Sequence, residues 1–109
     1  MNRGEIYRTH DRLAERGGKP GFYLVVSRPF IAQSPDVSTV VCAPVYSKIL
    51  GISTEVLVGP EEGLPRLSAV RCDFLTLLFK SKLADLVGRM GPTRTLELDT
   101  ALARALAIA

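Results

Sequence analysis

Tyr23-Leu-Val-Val-Ser27 and Ser38-Thr-Val-Val-Cys-Ala-Pro-Val-Tyr-Ser47 are two short runs of adjacent apolar, mostly β-branched residues, each ending in small hydroxyl groups. Short apolar runs of this kind read as buried strands. Their polar ends would deliver side chains to a surface. Working outward, Gly4 to Arg8 reads as a short first strand, Phe22 to Ser27 as a central strand and Ser38 to Val45 as its neighbour. Thr9 to Gly21, with Gly17, Gly18 and Pro20, reads as a long loop, and loops of that length inside a small domain tend to carry function. Arg28 to Val37, with Pro29 and Pro35, reads as a connection.

Further along, Thr54 to Val58 alternates polar and apolar as a half-exposed strand, and Gly59-Pro-Glu-Glu-Gly-Leu-Pro65 is rich in turn formers. Glu61 and Glu62 are expected to be solvated there. Ser68 to Thr76 reads as one strand with Val70, Cys72 and Phe74 on a single face, and Leu83 to Met90 as a last strand or a short helix. Gly91-Pro92 marks a helix start with proline at the first helical position. The helix expected over Thr93 to Ile108 carries Leu98, Leu102, Ala105 and Leu106 on helical spacing, with Arg94, Glu97 and Arg104 on its solvated face. The spacing of the strands predicts a mostly antiparallel, mainly β domain closed by one C-terminal helix.

With 109 residues the chain, residues 1–109, is expected to be a single domain with one core. It is 47% hydrophobic and 23% charged, too apolar for a disordered protein and rich enough to leave apolar surface for a second subunit. No stretch approaches the roughly 18 to 20 apolar residues of a membrane span, and the polar opening Met-Asn-Arg-Gly-Glu-Ile-Tyr7 is unlike a signal peptide. A cytoplasmic location, with no membrane contact, is the expectation. Cys42 and Cys72 lie inside apolar runs and read as small buried hydrophobes. With no C-x-x-C and His10 as the only histidine, neither a disulfide nor a metal set is indicated, and no cofactor is expected.

The net charge is +3, which favours polyanions. Up to Arg28 the cations Arg3, Arg8, Arg12, Arg16, Lys19 and Arg28 outnumber Glu5, Asp11 and Glu15, predicting a basic rim around the first loop. Tryptophan is absent and aromatic residues are few, which excludes a base-stacking sheet of the RRM type.

Arg3-Gly-Glu-Ile-Tyr7, Tyr23-Leu-Val-Val-Ser-Arg28, Val40-Val-Cys-Ala-Pro-Val-Tyr-Ser47, Glu55-Val-Leu-Val58, Glu61-Glu-Gly-Leu64 and Ser68-Ala-Val-Arg-Cys-Asp-Phe-Leu75 follow in an order that resembles the MazF/PemK (Kid-like) toxins of type II toxin–antitoxin systems. The ending Met90-Gly-Pro-Thr-Arg-Thr-Leu-Glu-Leu-Asp-Thr-Ala-Leu102 is similar to the helix that closes those domains. The resemblance runs nearly end to end. It implies an SH3-like small barrel of the MazF/PemK/CcdB type and a homodimer that cuts single-stranded RNA without a metal ion, its groove blocked by a cognate antitoxin. Cleavage in such proteins proceeds by attack of a ribose 2′-hydroxyl on the adjacent phosphate, leaving a cyclic phosphate and a 5′-hydroxyl.

Similar proteins carry Arg-Pro directly before the second strand, the arginine serving in catalysis, whereas Gly21 and Phe22 stand at those positions here. Lys19-Pro20, two residues earlier, is the candidate for a displaced counterpart, and Arg28 and Arg16 are further candidates for the lost charge. Lysine neutralises phosphate as a point charge but cannot grip two oxygens in parallel as arginine does. The family's second catalytic position, a threonine or serine after the Ala-Pro-Val strand end, falls at Tyr46-Ser47. Ser47 suits phosphate stabilisation and Tyr46 stacking or proton transfer. His10 opens the long loop and, with a reference pKa of about 6.5, is the candidate proton shuttle or simply a solvated side chain.

Arg8, Arg12, Arg16, Lys48 and Arg71 are the expected RNA contacts. Arg71 and Asp73 flank Cys72 and make either an ion pair or part of the RNA reading surface. The rival function is a toxin-fold protein without nuclease activity that holds a protein partner, as the related gyrase poisons do. A third is a nuclease site rebuilt from other arginines of the chain.

Overall fold

The computed structural model describes residues 1–10 and 21–108. Within them lies one antiparallel sheet built from β1 (Glu5–Arg8), β2 (Phe22–Val25), β3 (Thr39–Tyr46), β4 (Glu55–Val58), β5 (Ser68–Arg71), β6 (Thr76–Phe79) and β7 (Asp85–Arg89). The strand order is β4-β5-β3-β2-β1-β7, with β6 also paired to β3. A single turn of helix, α1 (Pro29–Ala32), follows β2, and α2 (Pro92–Ala105) ends the fold. The expected architecture, mainly β with one closing helix, is what forms.

The eight-residue β3 organises the sheet. Its first half pairs with β6, from Thr39 opposite Phe79 to Cys42 opposite Thr76, and its end pairs with β5, Val45 opposite Val70 and Tyr46 opposite Ala69. On its other edge, Phe22–Val25 of β2 pair with Val45 back to Cys42. Both faces of this centre are covered. Leu24, Ala43, Val45 and Val70 join Ile6, Val56, Val58, Leu64, Cys72, Met90, Leu98 and Ala101 in one core, while Tyr23, Val25, Val40 and Cys42 join Ala32, Leu78 and Leu83 in the other. Burial on both sides is the physical reason the two runs are continuously apolar instead of alternating. Both cysteines are buried and free, and burial pushes their thiols up to about 12 for Cys42 and about 11 for Cys72, the behaviour of small hydrophobes.

Helix α2 begins after Gly91 with Pro92 in its first turn, as the sequence predicts. It buries Leu98 and Ala101 and packs Leu102 and Ala105 against the same core. The Arg3 guanidinium ties it to the strands: Nη2 bonds Asp99 at 2.8 Å while Nε donates to the Val26 carbonyl at 3.1 Å. Gly63, with φ +92°, passes so close to Val87 and Gly88 that a Cβ at Gly63 would collide with the Val87 carbonyl, and one at Gly88 with that of Glu62. This backbone crossing joins the turn after β4 to β7, on opposite ends of the strand order.

Several local expectations are corrected. Ser68 to Thr76 is not one strand: a 3-10 turn at Cys72–Phe74 divides β5 from β6. With alternation broken, Val70 and Cys72 are buried but Phe74 turns outward. Thr76–Phe79 forms a strand because β3 is long enough to take a second partner. Leu83 to Met90 resolves as strand β7, its Gly88 required by the crossing. Pro29 opens α1 inside the expected connection, its fixed φ suiting a first helical position. The second strand stops at Val25, after which Ser27 Oγ accepts the Val41 N–H at 2.8 Å in place of a backbone carbonyl. Glu62 is buried, its Oε1 accepting the Gly59 N–H at 2.7 Å, rather than solvated. Leu106 and Ile108 lie past the end of α2 and are exposed.

Candidate nucleic-acid interface

The polar end of β3 divides its side chains between two clefts, because successive residues of a strand point to opposite faces. Val45 and Ser47 line a cleft of about 280 Å³ with Gly21, Phe22, Pro65, Arg66 and Ser68. Tyr46, Lys48 and Leu50 line another of about 190 Å³ with Arg71 and Phe74. Tyr46 and Ser47 are thus adjacent in sequence but serve different faces.

The Ser47 cleft is assembled from three segments. Gly21 and Phe22 arrive through a clasp with β1, in which the Thr9 N–H donates to the Gly21 carbonyl at 2.9 Å and the Gly21 N–H donates to Thr9 Oγ1 at 3.1 Å. The buried Thr9 therefore ties the end of β1 to the start of β2, and most of the expected long loop, residues 11–20, lies outside the described residues. Pro65 and Arg66 enter ahead of β5 and Ser68 as its first residue, where the Ser68 hydroxyl donates to the Arg66 carbonyl at 3.0 Å. Gly21, Phe22 and Pro65 also border a neighbouring cleft with Arg8, Gly63, Leu64 and Val87. The two clefts form one groove, with exposed cations Arg8 and Arg66 along it.

The second cleft gathers Tyr46, Lys48 and Arg71 from the expected site residues. Arg71 and Asp73 pair bidentately, Nε to Oδ1 at 2.9 Å and Nη2 to Oδ2 at 2.8 Å. That bond holds the Asp73 carboxyl below its usual range and raises the Arg71 guanidinium. The Glu55 carboxylate orders the segment after Lys48 by accepting backbone N–H bonds from Leu50, Gly51 and Ile52 at 2.7 to 3.2 Å. A concave array of N–H groups of this kind is a natural anion seat.

Other expected residues lie elsewhere. His10 pairs with Asp85 and lines neither part of the Ser47 groove. Arg28 stands beyond the far end of β2 from Phe22, at the start of α1. Lys19, Arg12 and Arg16 fall outside the described residues. Among the described residues no group of three histidine, cysteine or acidic side chains could hold a metal ion, and no helix is long and apolar enough to cross a membrane. The residue that sequence reading missed is Arg66. Its only local cue is its place two residues before the strand residue Ser68, and nothing in the sequence says that this strand lies beside Ser47.

The model of the PemK-like, MazF-like toxins of type II toxin–antitoxin systems matches residues 2–106. Among solved structures, an endoribonuclease in complex with its cognate antitoxin from a mycobacterial species is 28% identical, with 100% of this chain and 97% of that one covered at a TM-score of 0.82. A mycobacterial endoribonuclease is 30% identical over 98% of this chain and 91% of its own, with a TM-score of 0.76. The MazE–MazF complex of Deinococcus radiodurans, 20% identical, shares the fold over 100% of this chain and 98% of that one at a TM-score of 0.78. No curated protein sequence matches. The curled sheet with its C-terminal helix is that of these toxins, and the chain belongs to the PemK-like, MazF-like family of type II toxin–antitoxin toxins.

Proposed function

We propose that the chain is the toxin of a toxin–antitoxin pair, a cytoplasmic, metal-independent endoribonuclease acting on single-stranded RNA as a homodimer. The observation that carries this reading is the cleft in which Ser47 meets Gly21 and Phe22. By the resemblance, these are the places of the family's catalytic hydroxyl and of its Arg-Pro pair. In the reaction the 2′-oxygen forms a bond to phosphorus as the bond to the 5′-oxygen breaks. The 2′-proton leaves to a base and the departing oxygen gains one, giving cyclic-phosphate and 5′-hydroxyl ends. Ser47 donates to a non-bridging phosphate oxygen where charge accumulates.

Lys19 is the sequence's candidate for the accompanying cation and His10 for the moving proton. Arg8 on the groove, Lys48 and Arg71 beside Tyr46, and Arg12 and Arg16 guide the flanking RNA. Arg28, at the far end of β2, lines neither part of the Ser47 groove. A cognate antitoxin occupies the same groove.

Incubation of the protein with long unstructured RNA in EDTA tests the reading. Sequence-specific cuts with cyclic-phosphate ends are expected, and Ser47→Ala should slow them about 10²-fold, the usual loss for one oxyanion donor. The Gly21-Phe22 departure favours a second reading, a toxin-fold protein that binds a protein partner. Intact RNA with wild-type protein, and cleavage appearing only in Gly21→Arg, would favour it.

A further inference from the structure

We infer that Arg66 is a catalytic residue of this site, its guanidinium carrying the phosphate-directed charge absent at Gly21 and Phe22. The inference rests on the ribonuclease reading and deepens it. Arg66 lines the same cleft as Ser47, Gly21 and Phe22, so a phosphate received by the Ser47 hydroxyl lies within its reach. The antiparallel ladder explains the juxtaposition. Val45 and Tyr46 lie opposite Val70 and Ala69, so the residue that follows β3, Ser47, runs on beside the segment that leads into β5, where Arg66 stands two residues before Ser68.

Its backbone is anchored while its side chain is open. Leu64 is buried in the core, Pro65 restricts the next φ, and the Ser68 hydroxyl holds the Arg66 carbonyl. The side chain itself is exposed and makes no ion pair among the described residues, unlike Arg3, Arg71 and Arg94, which are bonded to Asp99, Asp73 and Glu97. Among the described residues the guanidinium has no acidic partner and the cleft no acidic lining residue; on a fixed backbone beside the exposed Ser47 hydroxyl, it is suited to a doubly bonded phosphate. During the displacement Arg66 gives up no proton. It holds two non-bridging oxygens as the 2′-oxygen bonds to phosphorus and the 5′-oxygen departs.

The test uses full-length wild type, Arg66→Ala, Arg66→Lys and Lys19→Ala in EDTA, with cleavage rates at saturating RNA and affinity for a 2′-deoxy RNA measured in parallel. Arg66→Ala should lower the rate about 10²-fold or more while affinity changes by less than about 5-fold, and Arg66→Lys should recover part of the rate. Thermal midpoints close to wild type separate this from misfolding. A phosphorothioate at one non-bridging oxygen should slow wild type and leave Arg66→Ala nearly indifferent. Wild-type rates in Arg66→Ala, a loss confined to affinity, or the whole rate loss in Lys19→Ala would each overturn the inference with the ribonuclease reading intact. Intact RNA with wild type itself would overturn both.

Discussion

Glu5 shows how one acidic residue in a basic segment is made structural. Burial opposes its ionisation, yet the Asn2 backbone N–H donates to its carboxylate at 2.6 Å, the Tyr7 hydroxyl at 3.0 Å and the Asn2 side chain at 3.5 Å. These bonds prevail, and the carboxyl is held below its ordinary value. Tyr7 answers in the other direction, pushed up to about 12 by burial and by Glu5. Since the folded carboxyl holds its proton less tightly than the unfolded one, the contribution is complete above the usual carboxylate range and is lost as pH falls through the folded value. Urea unfolding of wild type should therefore weaken between about pH 5 and pH 3, and Glu5→Gln should remove part of that slope, Asp73 accounting for another part. Equal slopes in the two proteins would refute this role.

Among elements, the crossing of Gly63 and Gly88 has the clearest consequence. The sequence from Leu83 to Met90 suits a strand or a short helix, and a glycine inside either weakens the local preference. The structure supplies the reason for Gly88: the Glu62 carbonyl occupies the space of its missing Cβ. Gly88→Ala must push β7 away from the turn, and a cost of about 3 kcal/mol is expected from overpacking backbone against backbone. Thermal unfolding measures it. Because Gly63 and Val87 line the groove beside Phe22, RNA affinity should fall in the same variant at temperatures where it remains folded. An unchanged melting temperature would mean that the crossing relaxes freely.

For the whole molecule, the unexplained quantity is apolar surface. Phe30 on α1 is 67% exposed, and Leu77 and Phe79 on β6 are 65% and 58% exposed. Lys80 holds these elements together, its Nζ donating to the Ile31 carbonyl at 2.7 Å and to that of Ser34 at 2.9 Å. A patch of this kind beside a strand edge is a natural dimer surface. Sedimentation should give the mass of a dimer at micromolar concentration, and Phe79→Glu should shift it to monomer with unchanged circular dichroism. A monomeric wild-type chain would sink the dimer proposal.

The sequence by itself determined the runs that become β2 and β3, the start of α2 at Gly91-Pro92 and the burial of Cys42 and Cys72, because these depend on local hydrophobic patterning and proline geometry. It also exposed the departure at Gly21-Phe22, and Ser47 as a polar strand end. Only the tertiary structure decided that β3 takes both β5 and β6 as partners, which breaks the predicted Ser68–Thr76 strand and turns Phe74 outward. It likewise decided which cation, among the described residues, stands beside Ser47. Strand pairing joins residues far apart in the chain, and periodicity records which face a side chain occupies but not which strand lies next to it; Arg66 became visible only when β5 was laid against β3.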